Sequence, residues 1–336
     1  MIKQIVPIDF QWPTIDPFLF CVHHFDYYPK GNSNLGVDSH HFKGRQMGSD
    51  FQVKDGFRLY HGEEIPGFPV HPHRGFETIT IVRKGYADHA DSLGAAGRYG
   101  EGDVQWMTAG RGVQHSEMFP LLHQDKENTL ELFQIWINLP KSKKMSDPTY
   151  KMLWSEKIPK INKNGVHVNL ICGQYDAVKF YQAPADSYAA DPSSGVQIFL
   201  VKIEKGHEFT LPKAHFSQTV RMVYFFQGKA LTAFNQEVNG KSAMLVDSQV
   251  DMVIKATHDD VEILVLDGNP INEPVVQHGP FVMNTKTEIV QTFEEFQKTQ
   301  FGGWPWPRHD MIHGPEIKRF ARYPNGTEEK PELNKE

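Results

Sequence analysis

Cysteine is scarce in this chain, which has only Cys21 and Cys172 among 336 residues. Two cysteines so far apart form no C-x-x-C pair, so a cysteine zinc site is excluded and no disulfide framework can be read. The default setting for such a chain is a reducing one, and we therefore expect a cytoplasmic protein.

Long apolar runs and clusters of basic residues are also missing. No stretch approaches 18 consecutive apolar residues, so the sequence predicts no transmembrane helix and no membrane partner. Acidic residues and prolines interrupt residues 1–18, which therefore lack the core of a signal peptide. The net charge of −6 argues against a broad nucleic-acid-binding surface, and we expect no direct binding to nucleic acid.

Short apolar runs separated by Gly, Pro, Asn and Asp dominate what is present. Examples are ETITIVRKG at 77–85 and QIFLVKIEKG at 197–206. Runs of this length with dense turn signals are typical of a sandwich or barrel. With 39% apolar and 23% charged residues, the chain has the composition of a packed globular protein.

These runs occur in two blocks, on either side of the polar, proline-containing stretch at 141–160. The sequence therefore predicts an all-β fold with two β-barrel or jelly-roll domains and a few short helices. We place the domains at residues 1–145 and 146–300, followed by a C-terminal tail at 301–336. One helix is expected near 287–302, because its apolar residues recur at helical spacing and a capping signal, Thr285 with Glu288, precedes it.

The two blocks look like copies of one unit, because FETITIVRKG and TVRMVYFFQG both run from an apolar strand into a glycine. Aligning Gly85 with Gly228 places three residues of the second block opposite three polar residues of the first: Ala214 opposite His71, Phe216 opposite His73 and Val220 opposite Glu77. The second copy thus builds the strand without the polar groups. This difference indicates that those groups serve a task performed by the first copy alone.

Two pairs of candidate ligands lie in the first copy. Residues two apart in a strand point to the same face, so His71 and His73 converge, and the same parity directs Glu77 to that side. His115 and Glu117 are again two apart, and a small barrel would bring the two segments side by side. A polar edge strand would also explain the first pair alone, whereas both pairs together favour a metal site with three imidazoles and one carboxylate.

Such a ligand set suits one divalent transition metal, Fe(II), Mn(II), Ni(II), Co(II) or Cu(II), better than structural zinc, which prefers thiolates. In octahedral coordination, four protein ligands leave two adjacent positions for a bidentate oxygen substrate or for substrate and dioxygen. Neutral histidines and an ionised Glu117 leave the site at net +1, which favours an anionic enolate or phenolate.

At these residues the sequence resembles the pirin family, whose members are bicupins of the cupin superfamily. The segments that carry the resemblance are HPHRGFETITIV, HADSLG, GDVQWMTAGRGVQHSEM and EPVVQHGPFVMNT. It implies a metal held by His71, His73, His115 and Glu117, with iron as the usual metal, and a C-terminal cupin without metal. Glu77 matches a position that ligates metal in many other cupins, although the spacing to Gly85 is one residue longer than in their motif. We expect Glu77 to support a ligating imidazole by a hydrogen bond instead.

Some pirins are similar in activity to quercetin 2,3-dioxygenases, so the resemblance implies a dioxygenase acting on a flavonol-like substrate with O2. Glu117 is then the candidate catalytic residue, which accepts the flavonol proton. Four side chains are candidates for the wall of a flat pocket: Phe76, Trp106, Met107 and Phe133. The alternative is a non-enzymatic, iron-dependent regulator that acts on a protein partner. A vestigial cupin is a third interpretation, which the survival of all four ligands disfavours.

Overall fold

The computed structural model describes residues 1–332, and antiparallel β-strands are their main regular structure. The strands of this region are, in chain order, β1 Ile2–Pro7, β2 Phe18–Tyr28, β3 Gly67–His73, β4 Phe76–Lys84, β5 Tyr86–Asp91, β6 Ala96–Gly100, β7 Val104–Thr108, β8 Val113–Met118, β9 Asn128–Asn138, β10 Thr149–Leu153, β11 Lys160–Lys163, β12 Val166–Tyr175, β13 Val178–Phe180, β14 Gln197–Ile203, β15 Glu208–Leu211, β16 Val220–Gln227, β17 Ala230–Ala233, β18 Gln236–Asn239, β19 Ser242–Val246, β20 Met252–Lys255, β21 Val261–Gly268, β22 Val276–His278, β23 Phe281–Met283, β24 Phe320–Arg322 and β25 Glu328–Glu329. The helical segments are α1 Lys286–Thr299 and four 3-10 turns at Ser39–His41, Tyr188–Ala190, Pro192–Ser194 and Gln300–Gly302. The predicted all-β class is confirmed.

The chain divides into two compact units, and neither is continuous in sequence. One unit contains residues 1–22, 135–140 and 157–272, and the other contains residues 23–134, 141–156 and 273–336. We call them the C-terminal barrel and the N-terminal barrel, after the stretch that forms most of each. The strands β2 and β9 each pass from one unit into the other along the chain.

The C-terminal barrel consists of an eight-stranded and a four-stranded sheet. The larger sheet has the order β1-β19-β16-β21-β14-β12-β11, with β13 paired to β12, and the smaller one has the order β15-β20-β17-β18. Alternate residues of these strands form one apolar core, as Val223 and Phe225 of β16 do with Val265 of β21. The core follows from the period-two pattern of the strands, which directs every second side chain inward.

The N-terminal barrel contains a five-stranded sheet, a six-stranded sheet and a two-stranded ribbon. Their orders are β10-β7-β4-β9-β2, β25-β24-β6-β5-β8-β3 and β22-β23. Residues 76–82 of β4 are buried without interruption, as expected of a strand that is covered on both faces. The turn after β4 is made by Gly85, whose φ of +77° suits glycine and strains other residues.

The helix α1 forms where the sequence predicts it. Thr285 is its N-cap, and the capping box with Glu288 is present in both directions. Ile289 is buried, and Phe293 and Phe296 pack with it against β23 as the helical spacing requires. The helix ends at Thr299, before the predicted stop at Gly302, because Gln300 takes the left-handed conformation that closes the last turn.

The predicted domain boundaries do not coincide with the limits of the compact units. Strand β1 pairs with β19, so the first residues of the chain belong to the C-terminal barrel. Strand β24 pairs with β6, so the predicted tail joins a sheet of the N-terminal barrel. The physical reason is pairing between strands far apart in sequence, which local patterns do not reveal. Within residues 1–332, no helix has the length and apolarity needed to cross a membrane.

Candidate metal centre

Three histidines of the N-terminal barrel come together on two neighbouring strands. Strands β3 and β8 pair in antiparallel fashion, with His71 directly opposite His115. The ring centroids are 4.4 Å apart for His71 and His115, 4.8 Å for His71 and His73, and 4.9 Å for His73 and His115. One ring nitrogen from each histidine lies within 4.8 Å of the others, an arrangement that could hold a metal ion. The predicted side-by-side placement of the two ligand segments is thus observed.

The hydrogen bonding of His71 and His115 leaves ring nitrogens available to a metal ion. Nδ1 of His71 lies 2.9 Å from the Pro69 carbonyl oxygen, and only a protonated nitrogen can donate there. Nε2 of His71 is then the nitrogen with the lone pair. Both ring nitrogens of the fully buried His115 have no hydrogen-bond partner among the described residues. A buried imidazole without such a partner is costly, and a metal ligand bond would satisfy it.

The surroundings keep all three rings in the neutral form that binds metal. Burial lowers the pKa of His71, and it lowers the pKa of His73 and of His115 further below the usual value of 6.5. The proximity of His71 adds to the effect on His73, because two positive charges at this distance repel one another. A metal would therefore displace few protons from this site at neutral pH.

The carboxylate of Glu117 lies beside the three imidazoles. Its Oε2 is 3.7 Å from Nε2 of His115, and the residue is only 3% exposed. Thr80 donates a hydrogen bond to Oε1 at 3.0 Å, and Gln134 donates one to Oε2 at 2.8 Å. These two donors fix the orientation of a buried carboxylate next to the histidine cluster. Neither donor was identified from the sequence, although Gln134 stands out as a polar residue within the apolar run LELFQIWINLP.

The predicted inward orientation of Glu77 is wrong. The stretch HPHRGFETIT is not one strand, because β3 ends at His73 and β4 begins at Phe76 in a different sheet. Glu77 pairs in register with Thr108, and its Oε2 accepts hydrogen bonds from Trp106 Nε1 at 2.8 Å and Thr108 Oγ1 at 3.1 Å. Three positions along β4, Thr80 contacts Glu117, so Glu77 lies on the opposite face of the sheet.

The corner between β3 and β4 is built around Gly75. Its φ is +85°, and a Cβ atom there would approach the Val282 carbonyl oxygen to 1.9 Å. The buried ammonium of Lys144 donates to the carbonyls of Gly75 at 2.7 Å and Val282 at 3.1 Å. Arg74 forms a bidentate ion pair with Glu295 of α1, with both N–O distances at 2.8 Å. These contacts fix the strand end that carries His73.

Two of the four predicted pocket-wall residues lie on the side of the histidines. The ring of Phe76 packs against His73 with centroids 5.0 Å apart. Met107 lies opposite Thr78, on the sheet face from which Thr80 contacts the Glu117 carboxylate.

The other two predicted wall residues lie on the opposite face. Trp106 hydrogen-bonds Glu77 through its indole nitrogen. Phe133 stacks on His23 with centroids 4.4 Å apart, whereas the next residue along β9, Gln134, contacts Glu117. Trp106 and Phe133 are therefore not wall residues of this site, because neighbours along a strand face opposite ways.

An aromatic cluster that the sequence did not reveal adjoins His71. Phe68, a partly exposed residue of β3, has its ring centroid 6.4 Å from that of His71. Five further rings have centroids 5.2–6.3 Å from Phe68: Tyr60, His61, His24, Phe119 and Phe51. Phe68, Phe51 and His61 are at least partly exposed, whereas Tyr60, His24 and Phe119 are buried, so a flat aromatic molecule next to His71 would contact only the first three rings.

Comparison with known proteins identifies both halves of the chain. Residues 9–137 match the family model described as Pirin, and residues 198–302 match that of the Pirin C-terminal cupin domain. A Pseudomonas aeruginosa protein named "putative quercetin 2,3-dioxygenase" is 37% identical over 237 residues, which cover 70% of this chain and 79% of that protein. Rat pirin is 34% identical over 265 residues, which cover 76% of this chain and 85% of rat pirin.

Among solved structures, the crystal structure of quercetin 2,3-dioxygenase from Acinetobacter baumannii is similar to this chain. It has a TM-score of 0.70 and 27% sequence identity, and the match covers 90% of this chain and 98% of that one. The predicted bicupin architecture is thereby confirmed, with one cupin domain in each matched region. From these matches, and from motifs that fall on the strands bearing the histidines, it follows that the chain belongs to the pirin family.

Proposed function

We propose that this protein is a metal-dependent dioxygenase of the quercetin 2,3-dioxygenase type, which oxidises a flavonol-like substrate with O2. The observation that carries the proposal is the cluster of His71, His73 and His115 with the Glu117 carboxylate 3.7 Å from a ring nitrogen of His115. The relatives named for this activity support it. Incorporation of both oxygen atoms into the substrate needs no external reductant, so substrate and O2 alone would balance the reaction.

The metal ligands that we propose are His71, His73, His115 and Glu117, and Fe(II) is the metal that we favour. Neutral imidazoles with one carboxylate also suit Mn(II), Ni(II), Co(II) and Cu(II). The ring nitrogens of His115, which have no hydrogen-bond partner among the described residues, and the Nδ1 bond of His71 fit any of these ions. When bound, the metal would supply a positive centre that favours the deprotonated flavonol over the neutral one.

The remaining chemistry falls to side chains of this chain. Glu117 would accept the hydroxyl proton of the flavonol at a carboxylate oxygen, since Thr80 and Gln134 hold that group in one orientation. Phe68, with Phe51 and His61, would bind the flat body of the substrate beside His71, the one histidine of the three that is partly exposed. Burial of His73 and His115 would exclude water from the inner side of the site.

The test is oxygen consumption with quercetin after loading the protein with Fe(II), Mn(II), Ni(II), Co(II) or Cu(II) in turn. We expect turnover with at least one metal, loss of nearly all of it in His73→Ala, and a loss of about 100-fold or more in Glu117→Gln. His258→Ala, which removes an exposed histidine of the C-terminal barrel, is the matched control and should retain full turnover. Unchanged turnover in both His73→Ala and Glu117→Gln would contradict the enzymatic proposal.

The same experiment addresses the regulatory alternative. If no metal gives turnover, while reduction and oxidation of a bound metal change binding to a protein partner, the regulator is favoured over the dioxygenase. Elemental analysis after reconstitution tests the metal itself. Metal content that is equally low in the wild type and in His73→Ala would contradict both functions.

A further inference from the structure

A large cavity lies at the end of the C-terminal barrel, in the copy of the cupin that lacks the histidine cluster. Its volume is about 690 Å³, within the usual range for small-molecule sites. Ala214 and Phe216 line it, and these are the residues that the repeat alignment places opposite His71 and His73. The second copy has therefore kept a cavity at the position where the first copy carries its candidate ligands.

The floor of this cavity is a polar layer on three adjacent strands, in which the arginine and the aspartate are buried. Gln197 of β14 lies opposite Asp267 of β21, which in turn lies opposite Arg221 of β16. Two residues further along two of these strands, Phe199 and Val223 belong to the apolar core, so the polar side chains point into the barrel. The interior thus changes from apolar to polar at one level.

Arg221 in this layer is incompletely paired. Its Nε and Nη2 donate to Asp267 at 2.9 and 2.7 Å, and the residue is 1% exposed. Nη1 is buried and has no hydrogen-bond partner among the described residues, although Arg221 lines the cavity. A buried guanidinium nitrogen without an acceptor is costly, and an oxygen atom in the cavity would satisfy it.

The N-terminal barrel contains a comparable buried arginine–aspartate pair whose arginine has acceptors for Nε, Nη1 and Nη2. Arg98 is equally buried and holds Asp88 through Nε and Nη2, both at 2.7 Å. Its Nη1, in contrast, donates to the Glu316 carbonyl, and Nη2 also donates to the Gly314 carbonyl at 2.8 Å. Nε, Nη1 and Nη2 of Arg98 thus all have acceptors. Among the described residues, Nη1 of Arg221 at the cavity has none.

The rest of the lining is suited to an apolar molecule. Tyr181, Pro212 and Phe216 supply accessible hydrophobic surface, whereas Phe199 and Leu211 are almost fully buried. Exposed charges of both signs, such as Lys213 and Asp191, surround them. Arg221, whose Nη1 has no hydrogen-bond partner among the described residues, thus lines a cavity with an apolar wall, a combination that selects a ligand with an oxygen acceptor at one end and a hydrophobic body.

We propose that the C-terminal barrel is a second binding site, for a small organic molecule that presents a carboxylate or amide oxygen to the guanidinium of Arg221 and packs an apolar body on Tyr181, Pro212 and Phe216. The site is separate from the candidate metal centre and needs no metal. It gives the metal-free cupin a binding role independent of the proposed oxidation.

Fluorine NMR with three matched probes tests this site in the full-length protein. 4-Fluorobenzoate and 4-fluorobenzamide offer an oxygen acceptor, and 4-fluorobenzylamine has the same ring without one. We expect 4-fluorobenzoate to bind, alone or together with 4-fluorobenzamide, and 4-fluorobenzylamine not to bind. Binding of none of the three, or tighter binding of the amine, would overturn the proposal.

Two variants locate the binding. Arg221→Met with Asp267→Leu removes both charges, because a single change would strand a buried ion, and Ala214→Leu fills the cavity. Each should weaken the binding of the acceptor probe by about tenfold or more, as loss of a charged hydrogen bond or of the space predicts. Circular dichroism tests whether each variant is folded. If one variant does not fold, the other still tests the proposal.

His73→Ala provides the control for the other barrel, since a carboxylate could also bind a metal there. Its binding of the acceptor probe should equal that of the wild type. Binding that His73→Ala abolishes, while both cavity variants retain it, would assign the probe to the metal centre and refute the second site.

Discussion

Gln134 donates a hydrogen bond of 2.8 Å from Nε2 to Oε2 of Glu117, from a strand that carries none of the three histidines. An amide nitrogen is a donor only, so Oε2 is the acceptor of this bond. Gln134 thereby holds the Glu117 carboxylate in one orientation beside the histidine cluster.

Replacement of Gln134 by Leu should weaken metal binding by about 10-fold or more, because loss of a partner that orients a ligand has this effect at metal sites. Competition with a chromophoric chelator measures the affinity directly and requires no enzymatic activity. Gln134→Glu should weaken binding as well, since two carboxylates would then share one position. Wild-type affinity in both variants would show that Gln134 has no part in the site.

Metal binding should stabilise the protein through His115. An ion present at about 100 times its dissociation constant adds about 2.7 kcal/mol to the stability of the form that binds it. We expect a rise in melting temperature on adding metal to wild-type protein and no rise in His115→Ala. His258→Ala, altered at an exposed histidine, should retain the whole rise. An equal rise in His115→Ala would place the ion elsewhere.

Acid should destabilise the metal-free protein. Burial lowers the pKa of His73 and His115 well below 6.5, so below pH 6.5 the unfolded chain binds protons that the folded one does not. Stability then falls as the pH drops through 6.5, by up to about 1.4 kcal/mol per pH unit for each ring. Urea titrations of metal-free protein at several pH values between about 5.5 and 7.5 measure the fall. His115→Gln should lose less stability over this interval, and equal slopes would contradict the assignment.

Lys144 should make the protein more stable as the pH rises above 8. Burial lowers the pKa of its ammonium from 10.5 to about 8, so between these values the unfolded chain binds the extra proton. The sign of the linkage is therefore a gain in stability with rising pH, of at most about 3 kcal/mol. Lys144→Met should abolish this gain and, by leaving the Gly75 and Val282 carbonyls without their donor, destabilise the protein at neutral pH. Urea titrations of both proteins at about pH 7.5 and 9.5 measure the free energy of unfolding. A gain in that free energy that persists in Lys144→Met would refute the prediction.

Gly75→Ala should unfold the corner that carries His73. The added Cβ would lie 1.9 Å from the Val282 carbonyl oxygen, a contact that backbone atoms cannot relieve cheaply. We expect a loss of more than about 1 kcal/mol together with weaker metal binding. Gly94→Ala is the matched control, because Gly94 has a φ of +88° and no atom within 4 Å of the added Cβ. It isolates the cost of the backbone conformation, so equal destabilisation of the two variants would show that the close contact is unimportant.

Local pattern was sufficient for the ligand strands and for the helix. His71 and His73 converge because a strand has a period of two, and Thr285 with Glu288 caps α1 because both partners lie within one turn. These features depend on residues close in sequence, which is why spacing alone predicts them.

Long-range contacts account for what the sequence did not reveal. The face of Glu77 depends on the change of sheet at Gly75, which is imposed by a carbonyl from Val282 and an ammonium from Lys144. Gln134 reaches Glu117 from another strand of the other sheet. No spacing rule connects such residues, because the barrel and not the local chain brings them together.

The exchange of terminal segments between the two barrels has a consequence for synthesis on the ribosome. The N-terminal barrel includes β24 and β25, so its six-stranded sheet lacks two strands until residues 320–329 have emerged. Strand β1 is made long before β19, the strand of the C-terminal barrel with which it pairs. Neither half can then be completed as an autonomous early product, in contrast to the usual order in which the first domain folds first. Deletion of residues 1–22 should therefore destabilise mainly the C-terminal barrel, and deletion of residues 320–329 mainly the N-terminal barrel.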